Sequence, residues 1–136
     1  GDRMEVEEGK NDSLLEILRG HEYVYGGEKM SIDSTFSIMD TMEFPFDENL
    51  IVVNGNRDEL GPTFSFIIDT ETKKAILLPS NRGCVGFTSE EGLPICLSFR
   101  HHANGESGRY SVVSVYDEKG NLVKEMSFED YKKDEK

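Results

Sequence analysis

Apolar and polar residues alternate along much of this chain, and the spacing is two rather than three or four. Between positions 36 and 46 the even sites carry Phe36, Ile38, Met42, Phe44 and Phe46, with Ser37, Thr41, Glu43 and nearby Asp47 on the other parity. A period of two belongs to a half-buried strand. Asp40 falls on the apolar parity and reads as a break between two strands. Residues 50–53 are a short apolar run, mostly β-branched, ended by Asn54-Gly55. Three further pairs of apolar runs flank polar, turn-forming segments and predict hairpins. They are 64–68 with 75–78 around the turn 69–74, 85–88 with 94–99 around 89–92, and 110–116 with 122–126 around 117–121. In the last of these Gly120 supplies the positive φ that such turns need.

One segment breaks the strand pattern. Ser13-Leu14-Leu15-Glu16 has the form of a capping box, in which the hydroxyl accepts from the backbone three residues on and the carboxylate reaches back. Leu14, Leu15 and Leu18 give an apolar face, and Gly20 ends it. A helix of about two turns is unstable alone and must dock. Residues 1–12 hold little to bury and are expected to be an acidic, mobile lead-in. Residues 13–128 form one β-rich domain, and 129–136 a charged tail. The expected fold is mainly β: an antiparallel meander packed as a sandwich or partial barrel, with one short N-terminal helix.

The stretch 50–80 is echoed by 95–127. Each has an apolar strand, a Gly-containing polar loop, an aromatic–Ser pair (Phe64-Ser65, Tyr110-Ser111), an apolar run ending in Asp (Asp69, Asp117), a tight turn and a last strand. A spacing of 48 residues between the two Asp is in the range of one four-stranded blade. Over about residues 36–127 the chain resembles the blade repeats of six-bladed, TolB-like β-propeller proteins of the bacterial secreted or lipoprotein type. The resemblance implies propeller-like connectivity and an extracytoplasmic setting. Closing a propeller takes about four to eight blades, and this chain has material for two or three, so the expected packing is sheet on sheet.

Charge narrows the partners. The chain carries 27 acidic and 15 basic residues, a net charge of −12. The ends do not account for it, because 13–128 alone hold 18 acids against 10 bases. Such a surface repels phosphate backbones, whose binding depends on Lys and Arg displacing counterions, so nucleic acid is not an expected partner. No apolar run approaches the length of a membrane span. Gly1, followed by a polar stretch with Met4 inside it, reads as a trimmed start. A periplasmic, secreted or surface-lipoprotein location is expected over the cytoplasm, with a leader or lipid anchor removed ahead of it.

Candidate chemistry is sparse. His101 and His102 are adjacent on a strand end, so their side chains point to opposite faces and do not converge on one metal or one proton relay. Cys84 and Cys96 bracket the second hairpin. If directly opposite they form a disulfide; one residue out of register, they are two small core residues. Neither they nor His101 have the paired spacing of a structural zinc site. Asn54-Gly55-Asn56-Arg57-Asp58 looks superficially like a calcium loop, but Glu59 stands where Gly is needed and Ser65 where a carboxylate is needed; it reads as a turn. Residues 30–56 carry Asp33, Asp40, Glu43, Asp47 and Glu48 with no Lys or Arg beyond Met30, a candidate acidic patch for a basic partner. P-loop, HExxH, G-x-S-x-G and Rossmann glycine patterns are absent.

These readings favour a non-catalytic binding module with no cofactor, acting on a protein or glycan partner. Two alternatives stay open. One is a small acidic inhibitor or immunity-type protein, which needs a contiguous negative face. The other is a small hydrolase built on His101 or His102, which needs carboxylates brought to them from distant strands.

Overall fold

The computed structural model describes residues 2–58, 61–102 and 107–134. Helix α1 (Asp2–Arg19) leads into a small hairpin of β1 (Glu22–Tyr25) and β2 (Glu28–Ser31). Two four-stranded antiparallel sheets follow. The first comprises β3 (Ser37–Phe44), β4 (Asp47–Asn56), β5 (Phe64–Asp69) and β6 (Lys74–Leu78). The second comprises β7 (Cys84–Phe87), β8 (Pro94–His101), β9 (Arg109–Tyr116) and β10 (Leu122–Ser127), after which comes helix α2 (Phe128–Asp134). The fold is thus mainly β and antiparallel, without a closed barrel.

Each sheet is a plain meander in which every strand bonds to its neighbour in sequence. The two stretches that echo each other are β4–β5–β6 and β8–β9–β10. Their matching aspartates serve alike. Asp69 Oδ1 accepts from the N–H groups of Glu71 and Thr72, and Asp117 Oδ1 from those of Lys119 and Asn121. These bonds, that of the Asn121 N–H foremost, hold the Asp117 carboxyl below the usual carboxylate range. The shared apolar–Asp–turn pattern therefore encodes a strand running into a turn capped by its own side chain.

The sheets stack face to face. Phe44, Leu50, Val52, Ile67 and Leu78 from the first meet Cys84, Cys96 and Tyr116 from the second. On its other face the first sheet lies under Leu14 and Leu18 of α1 and Tyr23 and Met30 of the hairpin. There the Phe66 ring makes edge contacts with Tyr23 and Phe36 at centroid distances of 4.9 and 5.7 Å. The Tyr23 hydroxyl donates to the Leu18 carbonyl at 2.9 Å, and burial pushes its pKa up to about 12. Docking on this face is what a short amphipathic helix requires. The helix starts well ahead of the capping box, so Ser13 lies inside it, and residues 128–134 are helical where the sequence reads as a tail.

The largest departure from the sequence pattern is in β3 and β4. Asp40 does not separate two strands: β3 runs through it, with a bulge between Ile38 and Asp40. An extra residue in one strand reverses the parity beyond it. Phe36 and Ile38 accordingly pack on the α1 side, whereas Met42 and Phe44 pack between the sheets. Nor is Asn54-Gly55-Asn56 a turn, since β4 continues to Asn56. Gly55 is required there because a Cβ would collide with the Phe36 ring and the Ser37 carbonyl.

Candidate functional site

Asn54 joins the two sheets. Its Nδ2 donates to the Cys84 carbonyl at 2.8 Å, and its Oδ1 accepts from the Cys84 N–H at 3.0 Å and the Ser65 hydroxyl at 2.7 Å. One side-chain amide thus satisfies both backbone groups of Cys84, as a neighbouring strand would. Asn81 does the same for Phe99, with bonds of 2.9 and 2.8 Å. Cys84 and Cys96 are direct cross-strand partners with Cα atoms 3.8 Å apart, joined as a disulfide. Of the two registers left open by the sequence, the directly opposed one is realised, and both cysteines are also buried core residues.

The histidines do not form a centre. His101 sits at the exposed end of β8 opposite Arg109, while the His102 ring lies against Tyr110 at 5.0 Å. Arg109 and Tyr110 are successive residues of β9, so the two rings lie on opposite faces as their adjacency requires. His21 has a structural place: its Nε2 lies 2.8 Å from the Lys73 carbonyl. A carbonyl only accepts, so that nitrogen carries the proton. The bond fixes a turn in which Lys73 has a φ of 62°. The acidic stretch is also divided. The register sets Asp40 beside Asn54 and Glu43 beside Ile51, on opposite faces of β3, and Asp47 turns its Oδ1 to the Asn49 N–H. Among the described residues no cluster of three or more His, Cys, Asp or Glu side chains is placed to hold a metal.

The site that does assemble lies on the outer face of the second sheet, the face turned away from the first. A groove of about 570 Å³ opens there between the 88–93 turn and α2. Its floor and walls are Leu93, Ile95, Val115, Val123, Met126 and Tyr131, and Glu90, Glu91 and Lys124 rim it. One wall is fixed by the turn's own hydrogen bonds: Thr88 N–H to the Leu93 carbonyl, Gly92 N–H to the Thr88 carbonyl and Leu93 N–H to the Thr88 hydroxyl. Gly92 has a φ of +66°, and Phe46 of the β3–β4 turn packs so close that a Cβ there would lie 2.7 Å from its ring. The other wall is α2. The Ser127 hydroxyl accepts from the Asp130 N–H at its start, and Glu129, Asp130, Lys132 and Lys133 are ordered to suit the helix dipole. This is a preformed apolar slot with two carboxylates on its lip, and neither His nor Cys lines it.

Further along the same face the character changes. The Phe99 ring carries two guanidinium groups, Arg82 at 4.2 Å and Arg109 at 5.2 Å from its centroid. The sequence shows none of this as a site, because the groove is assembled from a turn, a strand edge and the segment read as a tail. The adjacent carboxylates Glu90-Glu91 between two apolar runs are its only sequence-level trace.

No protein-family model, curated protein or solved structure matches this chain. Among the described residues no helix is long and apolar enough to cross a membrane.

Proposed function

We propose that this chain is a non-catalytic binding module that takes an apolar segment flanked by basic residues into the groove between the 88–93 turn and α2. The observation that carries this reading is the groove itself: a fixed apolar floor, Val123 56% exposed beside it, and Glu90 and Glu91 on the rim. Exposed apolar surface rimmed by charge is the usual mark of an interaction site. The separated histidines support a binding role over hydrolysis, which needs a base within hydrogen-bond reach of a nucleophile. The division of Asp40 from Glu43 counts against an inhibitor that masks its target with the 30–56 stretch. A Cys84–Cys96 disulfide supports the extracytoplasmic setting, since such bonds persist in oxidising compartments.

The test is a fluorescence-anisotropy titration with a labelled peptide of alternating leucine and lysine. Binding is expected, and Met126→Asp should weaken it by roughly tenfold or more, since a carboxylate placed on the apolar floor is desolvated by the ligand. Glu90→Lys with Glu91→Lys should weaken it less, and less again at high salt. Binding indifferent to both substitutions would overturn the reading.

A further inference from the structure

The outer face of the second sheet is polar in the sense of a magnet. At one end lies the groove with Glu90 and Glu91 on its lip. At the other end Phe99 is flanked by Arg82 from the β7 side and Arg109 from the β9 side, and His101 sits opposite Arg109. Between them run Leu97, half-buried, and Val85 of β7, 53% exposed. Ile95 at the groove and Phe99 at the arginines are four residues apart on β8, about 13 Å at the rise of an extended strand.

We infer that the partner taken by this groove is a second copy of the same chain, related by a two-fold axis through the middle of this face, near Leu97. The inference rests on the reading of the groove as a docking site and names its occupant. A two-fold interface must be self-complementary, each patch meeting its complement under one rotation. A face acidic at one end and basic at the other, with apolar residues between, meets that condition. Two such faces laid together with their β8 strands antiparallel bring the 89–92 turn of each copy over Arg82 and Arg109 of the other. Phe99 of each then comes to the mouth of the opposite groove. Arg82, Phe99 and Arg109 are themselves the basic-flanked apolar group that the groove is shaped to accept.

Charge supports a local match of this kind. In a chain of net charge −12, two arginines gathered on one aromatic ring are a conspicuous choice. Among the described residues their recorded contacts are with Phe99 and not with a carboxylate. A guanidinium stacked on a ring keeps its N–H edges free for bidentate bonds to carboxylates, and Glu90 and Glu91 of the second copy supply two.

The experiment is sedimentation velocity on the full chain over a concentration series, with two charge-reversed variants. All four reversed residues are exposed, and circular dichroism checks that each variant keeps the strand signature. The unaltered protein should dimerise. Arg82→Glu with Arg109→Glu should weaken dimerisation by roughly a hundredfold, and so should Glu90→Lys with Glu91→Lys, because each sets like charges together twice. Mixed in equal amounts, the two variants should form a heterodimer about as tight as the original dimer, since both contacts are then restored with their signs exchanged. A mixture that stays monomeric overturns the proposal, as does a dimer unmoved by either reversal. An unaltered protein that is monomeric throughout, yet binds the leucine–lysine peptide in a Met126-dependent way, overturns the second copy as occupant while leaving the groove's function standing.

Discussion

The two four-stranded sheets are alike in connectivity and unlike in cover. In the first, β4 is buried from Leu50 through Gly55, and β5 from Phe64 through Ile68. In the second, β8 and β9 are buried over their middle residues, but β10 is exposed from Leu122 to Glu125. The difference lies in what each sheet was given to stand under. An 18-residue helix and a hairpin cover the first, whereas a 7-residue helix covers part of the second. One strand-and-turn pattern, used twice, yields a core in one place and a docking face in the other. Recognition here is the remainder left by incomplete burial.

The sharpest way to break that comparison is to truncate matched side chains on the two outward faces. Phe66→Ala removes a fully buried ring beneath α1 and should cost about 3–5 kcal/mol in urea unfolding. Leu97→Ala, on a half-buried residue of the second sheet, should cost less than half as much, roughly 1–2 kcal/mol. Equal losses would mean that the second face is as fully packed as the first.

Next in size comes the joint between the sheets. Asn54→Ala leaves the Cys84 N–H and carbonyl unpaired in a buried setting, which should cost about 3 kcal/mol. Hydrogen exchange on the same variant sharpens the result. The Cys84 amide should lose protection while those of β9 keep theirs, whereas uniform loss would show that the joint serves both sheets equally.

The smallest effect tests the likeness rather than the difference. Asp69→Ala and Asp117→Ala each remove a turn cap of the same kind, so they should lower the thermal midpoint slightly and by similar amounts. A large effect from one alone would show that the matching aspartates hold unlike roles.

Much of this architecture was written in local turn chemistry. The hairpins at 69–74, 89–92 and 117–121 stand where polar residues interrupt apolar runs, and the pairing of 50–80 with 95–127 is the pairing of the two meanders. What the sequence hid required knowledge of neighbours. Asn54-Gly55 has the chemistry of a turn, and only the Phe36 ring above Gly55 and the Cys84 backbone beside Asn54 make it a strand. Met39 is extra only with respect to β4, so the bulge and the resulting split of Ile38 from Met42 cannot be counted from β3 alone. The disulfide depended on a register that two alternatives satisfied equally. The groove was the least legible feature, since Glu90, Ile95, Val115, Met126 and Tyr131 share no local pattern and meet only through the order of the sheet. The histidines, which drew notice as a pair, are separated by the rule that made them adjacent.

Cys84 has a consequence in mechanics. Its side chain is covalently tied to β8 and its backbone is held by Asn54 of β4, so one residue belongs to both sheets. A pull transmitted through the 79–83 crossover meets this anchor before it reaches the rest of the second meander. The covalent tie shields the 12-residue span to Cys96 from extension, and the load falls on the amide pair. Under tension the molecule should therefore part at the seam between its sheets, and each meander should reach the end of that first rupture with its own strands still paired.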